Sequence, residues 1–78
     1  MKARVTVTLK NGVLDPQGTA IEGSLAALSF AGVKSVRQGK VFEIDLDTDD
    51  ADQARASLTA MCEKLLANTV IEDFEINL

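Results

Sequence analysis

Pro16 is the only proline in the chain. It follows Asp15 and separates two segments whose apolar residues recur with different periods. Upstream, Ala3, Val5, Val7 and Leu9 alternate with Arg4, Thr6, Thr8 and Lys10. This is a half-buried strand with β-branched residues on both faces. Downstream, Ile21, Leu25 and Leu28 recur at helical spacing. Proline pushes the preceding residue out of the helical region and fits the first helical position, where no N–H is needed. Asp15 is therefore placed as an N-cap, its carboxylate accepting an orphan N–H at the positive helix end. Asn11-Gly12 is a turn signal. The stretch Asn11–Gly18 thus carries the chain from strand to helix. The helix is expected over Pro16–Phe30, ended by Gly32 as a left-handed cap.

The remainder continues the alternation of periods. Residues 33–37 read as a short strand, Gln38-Gly39 as a turn, and residues 40–47 as a longer strand with Phe42, Ile44 and Leu46 on one face. Together they predict a hairpin. A second helix begins at Asp50, which with Gln53 resembles a capping box. Ala51, Ala54, Leu58, Met61, Cys62, Leu65 and Leu66 form its apolar stripe, and Asn68 is its expected C-terminal cap. Residues 70–78 alternate again, with Phe74, Ile76 and Leu78 inward. The order β-α-β-β-α-β predicts one α+β domain over residues 1–78. The expected fold is a two-layer sandwich, ferredoxin-like or a close relative, with both helices on one face of a four-stranded, mostly antiparallel sheet.

Residues 1–40 carry six basic and two acidic side chains, and residues 41–78 two basic and ten acidic. With the first strand central, Arg4 and Lys10 would lie among Glu43, Asp45, Asp73 and Glu75 on the outer face. Cross-strand pairing then accounts for the asymmetry. The net charge of −4 argues against nucleic acid as a partner. The opening residues read as neither a signal peptide nor a membrane span, and a lone cysteine fits a reducing compartment, so the cytoplasm is the expected location. A chain of 78 residues builds a small core. With no histidine and only Cys62, neither a disulfide framework nor an ordinary zinc site is at hand. Self-association or docking on a larger partner is the remaining route to stability.

No constellation reads as catalytic. Asp45, Asp47 and Asp49 have the opening spacing of a calcium loop, but Asp50 and Ala56 stand where it requires glycine and glutamate. Cys62 lies on an apolar stripe without a histidine, as a core residue would. Gly12 and Gly18 match no phosphate-binding loop. Lys10, Lys34, Arg37 and Lys40 could form an anion site, but such clusters are mostly solvated edge charges that discourage strand pairing. An acylphosphatase-like enzyme would need an arginine in the loop after the first strand, and there is none.

Several segments together resemble the PurS subunit of phosphoribosylformylglycinamidine synthase. They are Val5-x-Val7-x-Leu9-Lys10, Gly12-Val13-Leu14-Asp15-Pro16-Gln17-Gly18, Gly32-Val33-x-x-Val36-Arg37-x-Gly39-Lys40, Met61-Cys62-x-Lys64-Leu65-Leu66-Ala67-Asn68 and Val70-Ile71-Glu72. Ser29 stands where the family usually has glycine, and Thr69 where it usually has proline. The resemblance implies a subunit without catalytic residues of its own. Such a chain serves a complex that uses ATP, magnesium and glutamine to convert formylglycinamide ribonucleotide (FGAR) to formylglycinamidine ribonucleotide (FGAM). It implies a dimer, or dimers paired into a tetramer, joined to a PurL-type synthetase and a PurQ-type glutaminase and helping ammonia pass between them. No cofactor is expected on this chain. The expected contact residues are Leu14, Asp15, Gln17, Arg37, Lys40 and Asn68. The competing reading is a small-ligand sensing or regulatory module of the amino-acid-binding kind, which shares the β-α-β-β-α-β order.

Overall fold

Alternation in the first segment produces the strand on which the rest is built. The computed structural model describes residues 1–78, with β1 at Lys2–Leu9, α1 at Pro16–Ala27, β2 at Gly39–Asp45, α2 at Ala51–Met61 and β3 at Glu72–Asn77. A single π-helical turn, Cys62–Leu66, extends α2. β1 is central in an antiparallel sheet of order β2-β1-β3. Val5 stands opposite Phe42 on one side and Ile76 on the other. β2 and β3 both run against β1. The chain segments leaving β1 and entering β2 and β3 therefore meet at one end of the sheet.

The inner face of β1 and the stripe of α2 close the core. Ala3, Val5 and Val7 pack with Leu58, Cys62 and Ala67, flanked by half-buried Phe42, Ile44, Leu46, Leu66, Phe74 and Ile76. On the outer face Arg4 meets Glu43 at 3.1 Å, and Lys10 meets Asp73 at 2.6 Å. These are the expected cross-strand pairs. Leu78, expected inward, lies beyond the end of β3 and is exposed.

The sheet has three strands, not the expected four. Residues 33–37 form no ladder, so the Gln38-Gly39 hairpin is absent. Residues 36–38 are held against the start of α1 by Asp15 and Gly18, and an extended segment without a ladder partner is not a strand.

Nor do both helices cover one face. α2 lies on the sheet, but the only buried residue of α1 is Gly18. Ile21, Leu28, Phe30 and Val33 are left open to solvent. The molecule measures 48 × 24 × 15 Å, with a radius of gyration of 15.9 Å. A compact domain of this length has a radius of gyration of about 11.5 Å. The chain exposes 5643 Å². Folded monomers of this mass expose about 4,600 Å². About 1,000 Å² is therefore in excess of what a self-contained fold would show.

Helix ends show where side-chain chemistry prevailed. α1 stops at Ala27, three residues earlier than expected. Ser29, not Gly32, is the left-handed residue of its cap, at φ 70°. Ser29 N–H donates to the Ala26 carbonyl and Phe30 N–H to the Leu25 carbonyl, both at 3.0 Å. This is the Schellman pattern. Gly32 also has positive φ but lies beyond the cap.

At the start of α2, the Asp50 carboxylate accepts from Asp52 and Gln53 N–H at 3.0 and 3.2 Å. The reciprocal half of the capping box is missing. Asp50 N–H donates to Thr48 Oγ1, whose hydroxyl bonds to the Gln53 side chain. The π turn, closed by Ala67 N–H on the Cys62 carbonyl at 3.0 Å, carries Ala67 into the core and turns Leu65 outward. Asn68 therefore does not cap the helix. Its side chain accepts from Val70 N–H, and its carbonyl accepts from Ile71 and Glu72 N–H, starting the turn into β3.

Candidate functional site

The end of the sheet where β1 leaves and β2 and β3 enter collects the loops that the sequence singles out. The first is 10–15. Val13 N–H closes a turn on the Lys10 carbonyl at 3.1 Å, with Gly12 at φ +86°. Only glycine reaches that region at no steric cost. Asp15 follows in an extended conformation, φ −112° and ψ 91°, as a residue before proline should. Pro16 occupies the first helical position.

Asp15 does more than cap. One carboxylate oxygen accepts Gly18 N–H at 2.9 Å, and the other accepts Gln38 N–H at 2.8 Å. The Gln38 bond is the main cause that holds the carboxyl below its ordinary range. Gly18 and Gln17 N–H add to it, as does the Arg37 guanidinium, against a smaller opposing effect of desolvation. Gly18 completes the clamp: a Cβ there would lie 2.3 Å from the Val36 carbonyl oxygen. The absence of a side chain lets residues 36–38 lie across the first turn of α1. Gly39 does the same beside β1, where a Cβ would lie 2.6 Å from the Val7 carbonyl oxygen.

Between these loops is a cleft lined by Thr8, Asp15, Gln17, Gln38, Lys40 and Glu72. Three of the expected contact residues, Asp15, Gln17 and Lys40, thus share one concave surface. Arg37 stands near it and donates to the Asn11 side chain at 3.5 Å. Asn68 is connected through Glu72, which accepts Asn68 N–H at 2.7 Å and lies 3.8 Å from the Lys40 ammonium. Lys40 also lies 5.8 Å from the centre of the Phe42 ring. Leu14 is 75% exposed, next to Asp15. Glu72 and Gln38 were not among the expected residues. Glu72 carried a signal: it shares the inward parity of Phe74 and Ile76, and an acid at an inward strand position needs a partner.

The arrangement suits recognition. Each carboxylate oxygen of Asp15 accepts one backbone N–H, and the group is held ionised, which is the wrong direction for proton transfer near neutral pH. The cleft contributes fixed backbone and side-chain hydrogen-bonding groups on loops tied to a rigid sheet, the usual place for contact residues. No helix of the chain is long and apolar enough to cross a membrane.

The PurS family, described as phosphoribosylformylglycinamidine (FGAM) synthase, matches residues 2–78. The chain is 49% identical over 75 residues to the PurS subunit of Mycobacterium leprae, covering 96% of this chain and 91% of that one. It is 47% identical over 73 residues to that of Bacillus subtilis, covering 94% and 86%. Among solved structures, Methanocaldococcus jannaschii PurS superposes with a TM-score of 0.88 at 41% identity, covering 97% of this chain and 92% of that one. A chain of PurLQS from Thermotoga maritima superposes with a TM-score of 0.89 at 30% identity, covering 97% and 93%. The chain belongs to the PurS family of phosphoribosylformylglycinamidine synthase subunits.

Proposed function

We propose that this chain is the small, non-catalytic subunit of a phosphoribosylformylglycinamidine synthase, the complex of purine biosynthesis that converts FGAR, glutamine and ATP to FGAM. The observation that carries the reading is the match to PurS subunits along nearly the whole chain, with a fold like that of a chain in a PurLQS assembly. In this reading the chain bridges a PurL-type synthetase and a PurQ-type glutaminase and helps ammonia pass between them. ATP, magnesium and glutamine are used by the assembled complex, in the cytoplasm. The contact surface is the end of the sheet bearing Leu14, Asp15, Gln17, Arg37, Lys40 and Asn68.

Self-association as a dimer belongs to the same reading. What supports it is the excess exposed surface. About 1,000 Å² per chain becomes about 2,000 Å² for a pair, the size of a permanent homodimer interface. The exposed apolar residues of α1 and the segment after it supply an apolar interface core.

Reconstituted FGAM formation from glutamine tests the function. Activity of the synthetase and glutaminase together should depend on added chain. Equal glutamine-dependent activity without it contradicts the reading. Heats of binding of free amino acids to the isolated chain would instead favour a sensing module.

A further inference from the structure

The chain holds three asparagines, Asn11, Asn68 and Asn77, and only Asn11 is followed by glycine. Asparagine is a labile residue, and its lifetime depends on how freely the next backbone nitrogen reaches its side chain. In the turn after β1 that reach is open. Val13 N–H and the Lys10 carbonyl close the turn, but the Asn11 carbonyl and the Gly12 N–H make no hydrogen bond within the chain. Both residues are exposed, and a Cβ on Gly12 would meet nothing within 4 Å. Glycine takes either sign of φ, so the Asn11–Gly12 peptide can rotate without strain and without breaking a hydrogen bond.

The other two asparagines lack these conditions. Thr69 and Leu78 carry side chains that crowd the attacking nitrogen. The Asn68 side-chain oxygen is held by Val70 N–H at 3.2 Å, and Asn77 lies in β3 opposite Arg4.

We propose that Asn11 is a site of spontaneous modification, converted to aspartate and isoaspartate through a succinimide that it forms with Gly12. The Gly12 nitrogen gives its proton to a solvent base and attacks the Asn11 Cγ. The N–Cγ bond forms as the Cγ–Nδ2 bond breaks, and the amide nitrogen takes up a proton and leaves as ammonia. Water then opens the ring. Opening at Cγ restores the chain as aspartate, and opening at the backbone carbonyl leaves it running through the side chain as isoaspartate. Nothing is oxidised or reduced, and water is the only co-reactant. In the aspartate product a carboxylate replaces the amide to which Arg37 donates at 3.5 Å, so a neutral contact becomes an ion pair. The isoaspartate product lengthens the backbone ahead of Asp15.

The test incubates the full chain in mildly alkaline buffer, native and unfolded in urea. Peptide mass spectrometry with electron-transfer fragmentation separates isoaspartate from aspartate. In the native chain the Asn11 peptide should change from amide to acid at least about tenfold faster than the Asn68 and Asn77 peptides, with isoaspartate the larger product. Asn11→Gln, whose longer side chain closes the ring poorly, should abolish the change at that position. An Asn11 that converts in urea but no faster than Asn68 and Asn77 in the native chain overturns the proposal, because the turn then protects it. Conversion to aspartate alone, with no isoaspartate, overturns the succinimide route.

Discussion

Two glycines of α1 should respond to alanine with opposite signs. Gly18 and Gly23 lie on the same helix. Replacing a helical glycine by alanine ordinarily gains roughly 0.5–1 kcal/mol, because less backbone freedom is lost on folding. At Gly23 a Cβ meets nothing within 4 Å, so Gly23→Ala should show that gain in full. At Gly18 the Cβ would lie 2.3 Å from the Val36 carbonyl oxygen and 2.8 Å from an Asp15 carboxylate oxygen. Ordinary contact needs about 1 Å more, and the nearer atom is backbone. Residues 36–38 must move, and the 2.8 Å bond from Gln38 to Asp15 breaks. Overpacking of this kind costs about 1–3 kcal/mol. Set against the intrinsic gain, Gly18→Ala should lose about 1 kcal/mol at the midpoints of these ranges. Residue-resolved amide exchange across α1 is the assay, since it reads local opening whether or not α1 melts with the sheet. Slower exchange in Gly23→Ala and faster exchange in Gly18→Ala is expected. If Gly18→Ala slows exchange as much as Gly23→Ala, the clamp between α1 and residues 36–38 is not what sets glycine there.

Ser29 holds φ 70°, which costs an L-residue about 1–2 kcal/mol, so Ser29→Gly should stabilise the last turn of α1 by about 0.5–1 kcal/mol after the added unfolded-state freedom, read as slower exchange of the Phe30 amide. The Asp15 carboxyl is depressed in the fold, so its contribution is complete above the ordinary carboxylate pKa of about 3.9 and is lost as pH falls through the folded value. Exchange at the Gln38 amide should therefore, after correction for its intrinsic pH dependence, lose protection on the acid side, and Asp15→Asn should flatten that dependence. Burial pushes the Cys62 thiol up, so alkylation by iodoacetamide at pH 8 should follow global unfolding and be slow in the native chain. Leu14→Asp and Gln17→Ala should leave the circular dichroism spectrum unchanged, both side chains being exposed, while weakening assembly with the synthetase and glutaminase subunits.

The parts of the fold legible in the sequence are those governed by neighbours along the chain. Alternation placed β1, and the Asp-Pro pair placed the start of α1, because each rests on local sterics and one hydrogen bond. Opposite charges located the outer face, and Arg4 and Lys10 meet acids there. The parts that were not legible depend on contacts remote in sequence. Residues 33–37 have strand character, but Asp15, more than twenty residues from Gln38, decides where they lie. The cap of α1 was assigned to Gly32 because glycine is the usual left-handed residue, yet Ser29 takes that conformation so that both Schellman bonds close. The π turn follows from seating Cys62 and Ala67 in one core, which no stripe of period 3.6 announces. Of the expected contact residues the fold brings some together and leaves others apart. Asp15, Gln17 and Lys40 share a cleft, and Glu72, whose inward parity marked it as an acid in need of a partner, joins Asn68 to Lys40 only through the loops that bring them together.

Co-migration tests the account most directly. The chain, a PurL-type synthetase and a PurQ-type glutaminase are mixed with ATP, magnesium and glutamine and separated by size-exclusion chromatography with light scattering. The account predicts that the chain leaves its own elution position and travels with both large subunits. A chain that elutes alone at every ratio, with the large subunits unaffected by its presence, contradicts it.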